Sequence, residues 1–222
     1  MLRFGPATGP VVIAALPLFE EANRTRAFVV TILRQLAACG IAGALPDLPG
    51  TGESLIETEQ ASLLHWIEAF KDAAIALREH HETVHIAAFR GGALVDGGAA
   101  AETRWRLSPL DGQTALRELT RVALAAAKEA GTAFDPGTPT APGAPIEIAG
   151  NRLNRKLLTQ IGHAVPAATA PLRTVRLDTD PLTADRHVPG VPLWRRSEPD
   201  NDTALAALLA EDIAGWITSC GG

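Results

Sequence analysis

The stretch Thr83-Val-His-Ile-Ala-Ala-Phe-Arg-Gly-Gly92 decides the fold. Residues 83–88 form a short apolar run, and two consecutive glycines follow almost at once. This pattern predicts a buried strand that ends in a tight turn, with a helix of small residues next. Residues 11–16 and 41–45 are apolar runs of the same kind, and each also ends at turn-forming residues. The sequence therefore predicts at least three buried strands that each lead into a turn.

Helical periodicity separates these strands. Apolar residues recur at three-and-four spacing over residues 25–39 and 63–78, which predicts two amphipathic helices. Later in the chain we predict strands over residues 105–107, 172–177 and 191–195, and a last helix from Asp202 or Thr203 to residue 218. Strands joined by single helices pair in parallel through right-handed crossovers. We therefore expect an α/β fold, a mainly parallel sheet flanked by helices, with ligands at the carboxyl ends of its strands.

One segment, residues 112–166, interrupts this alternation. It is predicted to hold a helix over residues 113–130, a Pro/Gly/Thr-rich loop over 131–145, a strand over 146–148 and a helix over 154–161. We interpret residues 112–166 as a small cap-like insertion above the strand ends. Residues 1–111 and 167–222 would then form the core.

Composition excludes several classes of protein. The net charge of -5 argues against a large nucleic-acid-binding face, which needs clustered Lys and Arg. Two cysteines, Cys39 and Cys220, without a C-x-x-C spacing argue against a disulfide scaffold or a zinc site, and we expect neither metal nor cofactor. The apolar run over residues 11–19 is too short to span a membrane, and no export signal precedes it. We expect a soluble, cytoplasmic protein.

Three turns at the predicted functional edge carry a family resemblance. They read Leu16-Pro-Leu-Phe-Glu-Glu-Ala-Asn23, Asp47-Leu-Pro-Gly-Thr-Gly-Glu-Ser54 and Ala88-Phe-Arg-Gly-Gly92. The last two resemble turns of the α/β-hydrolase fold, an Asp-x-x-Gly-x-Gly-x-Ser turn and the Gly-x-Ser-x-Gly elbow that holds the nucleophile. The three together resemble the exosortase-A-system-associated hydrolases of bacterial exopolysaccharide and protein-sorting loci. The resemblance implies a chain that begins at the third strand of the full fold, without the N-terminal hairpin.

The resemblance also implies where a catalytic triad would lie. Arg90 occupies the nucleophile position, Asp178 or Asp180 the acid position, and Glu198 the region of the histidine, while His187 lies slightly earlier. The remaining residues implied for ligand binding surround the elbow: Leu18, Phe19, Glu20, Glu21, Asn23, Asp47, Gly91 and Gly92. Arginine has five donors and no lone pair, so it cannot replace a serine nucleophile. The standard triad is therefore predicted to be absent.

Arg90 leaves three functional hypotheses open. A buried guanidinium needs an anion, which Glu20, Glu21 or Glu198 would supply within the chain, or a ligand carboxylate or phosphate from outside it. We first expect a non-catalytic or weakly active relative of the hydrolases that binds a small acidic or acyl-type ligand, or a partner. The second hypothesis is an active hydrolase on an ester, thioester or glycan-linked substrate, using carboxylates or His187 with water. The third is a structural component that forms a homo-oligomer.

Overall fold

The computed structural model describes residues 1–169 and 171–220. In chain order its elements are β1 (Leu2–Phe4), β2 (Pro10–Ala15), α1 (Glu20–Ala38), β3 (Ala42–Leu45), α2 (Leu63–Arg78), β4 (Thr83–Phe89), β5 (Arg104–Leu107), α3 (Gly112–Glu129), β6 (Ile146–Ile148), β7 (Asn151–Leu153), α4 (Arg155–His163), β8 (Leu172–Leu177), β9 (Arg186–Val188) and α5 (Thr203–Cys220). A seven-stranded sheet has the order β1-β3-β2-β4-β5-β8-β9. All neighbouring strands in it are parallel except β1, which pairs antiparallel with β3.

Each face of the sheet is covered by its own hydrophobic cluster. Side chains alternate along β2, so Val11 and Ile13 face one cluster while Val12 and Ala14 face the other. The first cluster contains α2, α3 and α4, and the second contains α1 and α5. Burial on both faces explains why the central strands are continuous apolar runs rather than alternating ones.

The segment between β5 and β8 packs into the first cluster. It holds α3, α4 and a small antiparallel hairpin formed by β6 and β7. The predicted helices and the strand over residues 146–148 are present, whereas β7 was not predicted because its three residues carry no strand pattern. Leu119, Leu157 and Ile161 from this segment are buried against the same core as Trp66 of α2.

Two predictions of local structure were wrong. The last strand is β9, not residues 191–195, where Leu193–Arg195 form a 3₁₀ turn. Pro192 offers no amide to a sheet, and the apolar side chains that suggested a strand, Leu193 and Trp194, are buried in the second cluster instead. After β4 the chain forms two short 3₁₀ turns rather than a helix, because four glycines between residues 91 and 98 disfavour a longer helical segment.

The edge of the sheet carries a strand that the sequence did not indicate. β1 is three residues long and largely exposed, so it has neither the length nor the apolar pattern that predicts a strand. It pairs with β3 from Leu2 opposite Leu45 to Phe4 opposite Gly43. Across residues 1–169 and 171–220, none of the helices has both the length and the apolar character needed to cross a membrane.

Candidate functional site

The turn after β4 places Arg90 at the carboxyl edge of the sheet. Arg90 has a φ of 54°, which is in the left-handed region that non-glycine residues rarely adopt. The two glycines that follow allow the turn to approach the end of β2 closely. A Cβ at Gly92 would lie 2.4 Å from the carbonyl oxygen of Ala15, so a larger residue there would push the turn away from the sheet. Arg90 is therefore held at the apex of a sharp strand-to-3₁₀ bend.

The guanidinium of Arg90 is buried and surrounded by acceptors. Its Nε lies 3.3 Å from Glu21 Oε2, and its Nη2 lies 3.1 Å from Glu21 Oε1 and also donates to Glu118. Its central carbon lies 4.6 Å from the ring centroid of Trp194, a cation–π contact. Only 5% of the Arg90 side chain is exposed. The guanidinium is thus contacted by two carboxylates from different helices and by one aromatic ring.

Two carboxyl groups near Arg90, those of Glu20 and Glu21, have raised pKa values. Burial raises the pKa of Glu21 to about 7, with Arg90 opposing the rise and the like charge of Glu118 adding to it. Burial also raises the pKa of Glu20, and Glu20 Oε2 is buried without a hydrogen-bond partner among the described residues. Burial and the mutual repulsion of these carboxylates outweigh the charges of Arg90 and Arg24, so Glu21 retains a proton below about pH 7.

A water-sized cavity lies beside this cluster. It measures about 20 Å³, enough for one water molecule, and its walls include Phe19, Glu21, Gly91 and Glu118. Phe19, directly before α1, has a φ of 56°, which turns the chain sharply into the helix. The cavity is therefore bordered by the start of α1, by the turn after Arg90 and by α3.

The turn after β3 forms the far wall of a larger pocket. Gly52 has a φ of 54°, and a Cβ on it would lie 2.1 Å from Asp47 Oδ1, so this position requires glycine. Ser54 Oγ accepts hydrogen bonds from the amides of Gly50 and Ile56, which explains the serine at the end of the motif. Ser54 is thus committed to holding the turn.

The larger pocket has a volume of about 370 Å³ at the carboxyl ends of β2 and β3. Its apolar wall is formed by Leu18, Phe19, Trp66 and Phe70, and Trp66 Nε1 donates to the carbonyl of Pro49 at 2.8 Å. Its polar lining includes residues of α1, of the turn after β3 and of the hairpin: Asn23, Arg26, Thr51, Glu53, Thr58 and Asn151. The pocket shares Leu18 and Phe19 with the small cavity, so it lies beside the elbow rather than above Arg90.

The other triad positions implied by the resemblance are not gathered around Arg90. Asp178 and Glu198 are exposed, as is His187, whose Nε2 lies 3.1 Å from the carbonyl oxygen of Leu182. In the part of the chain that the structure describes, none of these three forms a hydrogen bond or ion pair with the Arg90 guanidinium.

Asp180 has a different environment. Burial raises the pKa of Asp180, but hydrogen bonds from Arg176 and from the Leu182 amide, with the charges of Arg176 and Arg90, outweigh burial and leave the pKa lowered. Its carboxylate lies 2.7 Å from Arg176 Nη1. Asp180 therefore senses Arg90 at a distance but is bound to another arginine.

Sequence reasoning did not predict two contacts of Arg90, those with Glu118 and Trp194. Glu118 lies on α3 within the predicted cap, 28 residues beyond Arg90, and Trp194 lies in the stretch predicted as the last strand, residues 191–195. No local pattern marks either of them, because their approach depends on how α3 and the last 3₁₀ turn pack. Ser108, at the end of β5, also went unnoticed: it is fully buried, its φ is 43°, and its Oγ has no hydrogen-bond partner among residues 1–169 and 171–220.

Comparison with solved structures identifies the fold. No protein-family model and no curated protein matches the chain. Est1E from Butyrivibrio proteoclasticus with ferulic acid bound has a TM-score of 0.57 and 18% identity, over 97% of this chain and 89% of that chain. The bottromycin epimerase BotH with bottromycin A2 has a TM-score of 0.53 and 15% identity, over 96% of this chain and 92% of that chain. Mouse alpha/beta hydrolase domain-containing protein 10 has a TM-score of 0.51 and 15% identity, over 98% and 93%.

These likenesses cover nearly the whole chain. The predicted class, a mainly parallel sheet flanked by helices, is confirmed, and the chain has the α/β-hydrolase fold. Identities below a fifth establish the fold alone, and one fold supports many activities. Function must therefore be argued from the site.

Proposed function

We propose that this chain is a hydrolase-fold protein that binds an acyl-type ligand and does not carry out serine-type hydrolysis, with Arg90 in the place of the nucleophile. The observation that supports this most is the occupation of the Arg90 guanidinium by Glu21, Glu118 and Trp194. A guanidinium offers no lone pair for attack on a carbonyl. Removing the serine of a serine protease costs on the order of a millionfold in turnover. Among the described residues, no histidine side chain forms a hydrogen bond with Arg90.

The ligand is assigned to the larger pocket. Its volume of about 370 Å³ lies within the usual range for small-molecule sites, roughly 300–1,000 Å³. Two fold neighbours were solved with organic molecules, ferulic acid in Est1E and bottromycin A2 in BotH, so the fold accommodates ligands of different sizes. An acidic ligand at Arg90 itself would have to displace two carboxylates that already hold it, which argues for the pocket instead.

We include the biological setting in the same proposal: a cytoplasmic member of the exosortase-A-system-associated group. Its support is the combination of the three turns quoted above, which begin at Leu16, Asp47 and Ala88. We also propose that residues 112–166 act as a cap, since α3 and α4 pack together and Glu118 of α3 reaches the elbow.

The proposal is tested by hydrolysis and binding assays on the same preparations. Wild type, Arg90→Ser and Arg90→Ala are incubated with p-nitrophenyl acetate, butyrate and octanoate and with octanoyl thioesters, and Arg121→Ala, an exposed arginine of α3, serves as control. We expect no turnover above buffer for any of them, and a rise in melting temperature when octanol or octanoate is added. Wild-type turnover that disappears in Arg90→Ala but persists in Arg121→Ala would contradict the proposal.

A second candidate, hydrolysis by water with a carboxylate base, is favoured by one observation. Glu21 has a pKa of about 7 and borders a cavity that fits one water molecule beside Gly91. In that case turnover would rise as the pH passes through about 7, and it would be lost in Glu21→Gln but kept in the exposed control Glu68→Gln.

A further inference from the structure

We infer that the larger pocket takes a monocarboxylic acid with an apolar body, and that Arg26 and Asn23 hold its carboxylate. This inference rests on the proposed function, because it assumes that the pocket is a ligand site. It assigns the acidic group of the ligand to Arg26, not to Arg90 at the elbow.

The inner part of the pocket fits an apolar body. Trp66 and Phe70 are almost completely buried, and Phe19 packs against Trp66 with ring centroids 5.7 Å apart. Leu18 and Leu48 extend this wall toward the turn after β3. A hydrocarbon chain bound here would be removed from water, and no charged side chain of this apolar wall would be desolvated. Affinity should therefore increase with chain length.

The outer part of the pocket has free donors. Arg26 Nη2 lies 2.9 Å from Asp47 Oδ1, and 34% of the Arg26 side chain is exposed. A guanidinium has five donors, and this bond uses one of them. Asn23 lies three residues earlier on α1, on the same side of the helix, and is exposed. Both side chains line the pocket, so a carboxylate there would meet a guanidinium and an amide together.

The surroundings of Arg90 and Arg26 differ, and the difference favours Arg26 as the residue that binds the ligand carboxylate. Two carboxylates, Glu21 and Glu118, bind Arg90, and its side chain is 5% exposed. In the described part of the chain, Asp47 is the one carboxylate in contact with Arg26. Glu53 also lines the pocket, but it is exposed, so solvent screens its charge.

The test compares ligands that differ only in the head group. Isothermal titration calorimetry measures binding of hexanoate, octanoate, decanoate and octanol at neutral pH to wild type, Arg26→Gln, Arg26→Lys and Arg121→Gln. We expect wild type to bind octanoate about tenfold more tightly than octanol, since a charged hydrogen bond contributes about that much. The preference should vanish in Arg26→Gln and persist in Arg26→Lys, which keeps the charge, and in the control Arg121→Gln. The double variant Arg26→Gln/Asp47→Asn, which removes both charges of the pair, replaces Arg26→Gln if that variant does not fold.

The outcomes separate this inference from the proposed function. Equal affinity of wild type for octanoate and octanol would overturn the carboxylate assignment and leave the pocket as an acyl site. A preference for octanoate that survives in Arg26→Gln would overturn the role of Arg26. Absence of binding by every ligand would overturn both the inference and the proposed function.

Discussion

Stability as a function of pH tests the carboxylate cluster at the elbow, and Glu21→Gln is the perturbation. Burial raises the pKa of Glu21 from its usual 4.5 to about 7. The charge of Arg90 opposes this rise, and the charge of Glu118 adds to it. The folded chain therefore keeps a proton that the unfolded chain releases above about pH 4.5. Raising the pH through this window favours unfolding, and at about 1.4 kcal/mol per unit of pKa the full effect is about 3 kcal/mol.

Glutamine fixes position 21 in a neutral form, so the variant should lack this dependence. Urea unfolding is measured for wild type, Glu21→Gln and the exposed control Glu68→Gln from about pH 5 to about pH 8. We expect the free energy of unfolding of wild type to fall by about 2–3 kcal/mol relative to Glu21→Gln over this range, and Glu68→Gln to follow wild type. If the curves for wild type and Glu21→Gln stay parallel, the reasoning about buried carboxyl groups at Arg90 is refuted.

Three further predictions concern stability measured by urea unfolding. Arg90→Met should cost about 3 kcal/mol near pH 8, because it leaves buried carboxylates without a cation, and less near pH 5, where Glu21 is protonated; an equal loss at both would contradict this. Gly52→Ala should cost more than Gly40→Ala, by about 1–3 kcal/mol, since both have positive φ but only the Cβ at position 52 meets a neighbour. Asp212→Asn should cost about 2 kcal/mol near pH 7, because hydrogen bonds from two arginines and a tryptophan outweigh burial and lower the Asp212 pKa to about 2. That difference should disappear as the pH falls from about 4 to about 2, and its persistence there would refute the assignment.

Sequence patterns predicted the elements that have a clear apolar pattern and marked ends. The limits of α2 and of β8 agree with the structure to the residue, because apolar periodicity and turn residues mark both of their ends. Arg90 was placed at the apex because residues 88–92 resemble the Gly-x-Ser-x-Gly elbow and follow a predicted strand. The expected carboxylate partner was also among the three named, since Glu21 binds it.

The remaining features depend on contacts between distant segments. β1 and β9 have three residues each, too few for a periodic signal, and their pairing energy comes from the neighbouring strand. Glu118 reaches Arg90 through the packing of α3, and Trp194 through that of a 3₁₀ turn mistaken for a strand. The carboxylate-binding role proposed for Arg26 was not predicted from the sequence, because it depends on how much of the guanidinium stays exposed beside Asp47.

The bend at Arg90 separates backbone shape from side-chain chemistry. Serine and arginine both carry an unbranched Cβ and meet a similar steric penalty at a φ of 54°, so Arg90→Ser would leave the curvature of the bend as it is. Position 194 is different, because its indole ring fills interior volume that an imidazole would leave vacant. A hydroxyl could thus enter this bend through one replacement, whereas an imidazole at position 194 would require repacking part of the interior. In this scaffold a single substitution would therefore supply the serine of a Ser–His pair more easily than the histidine.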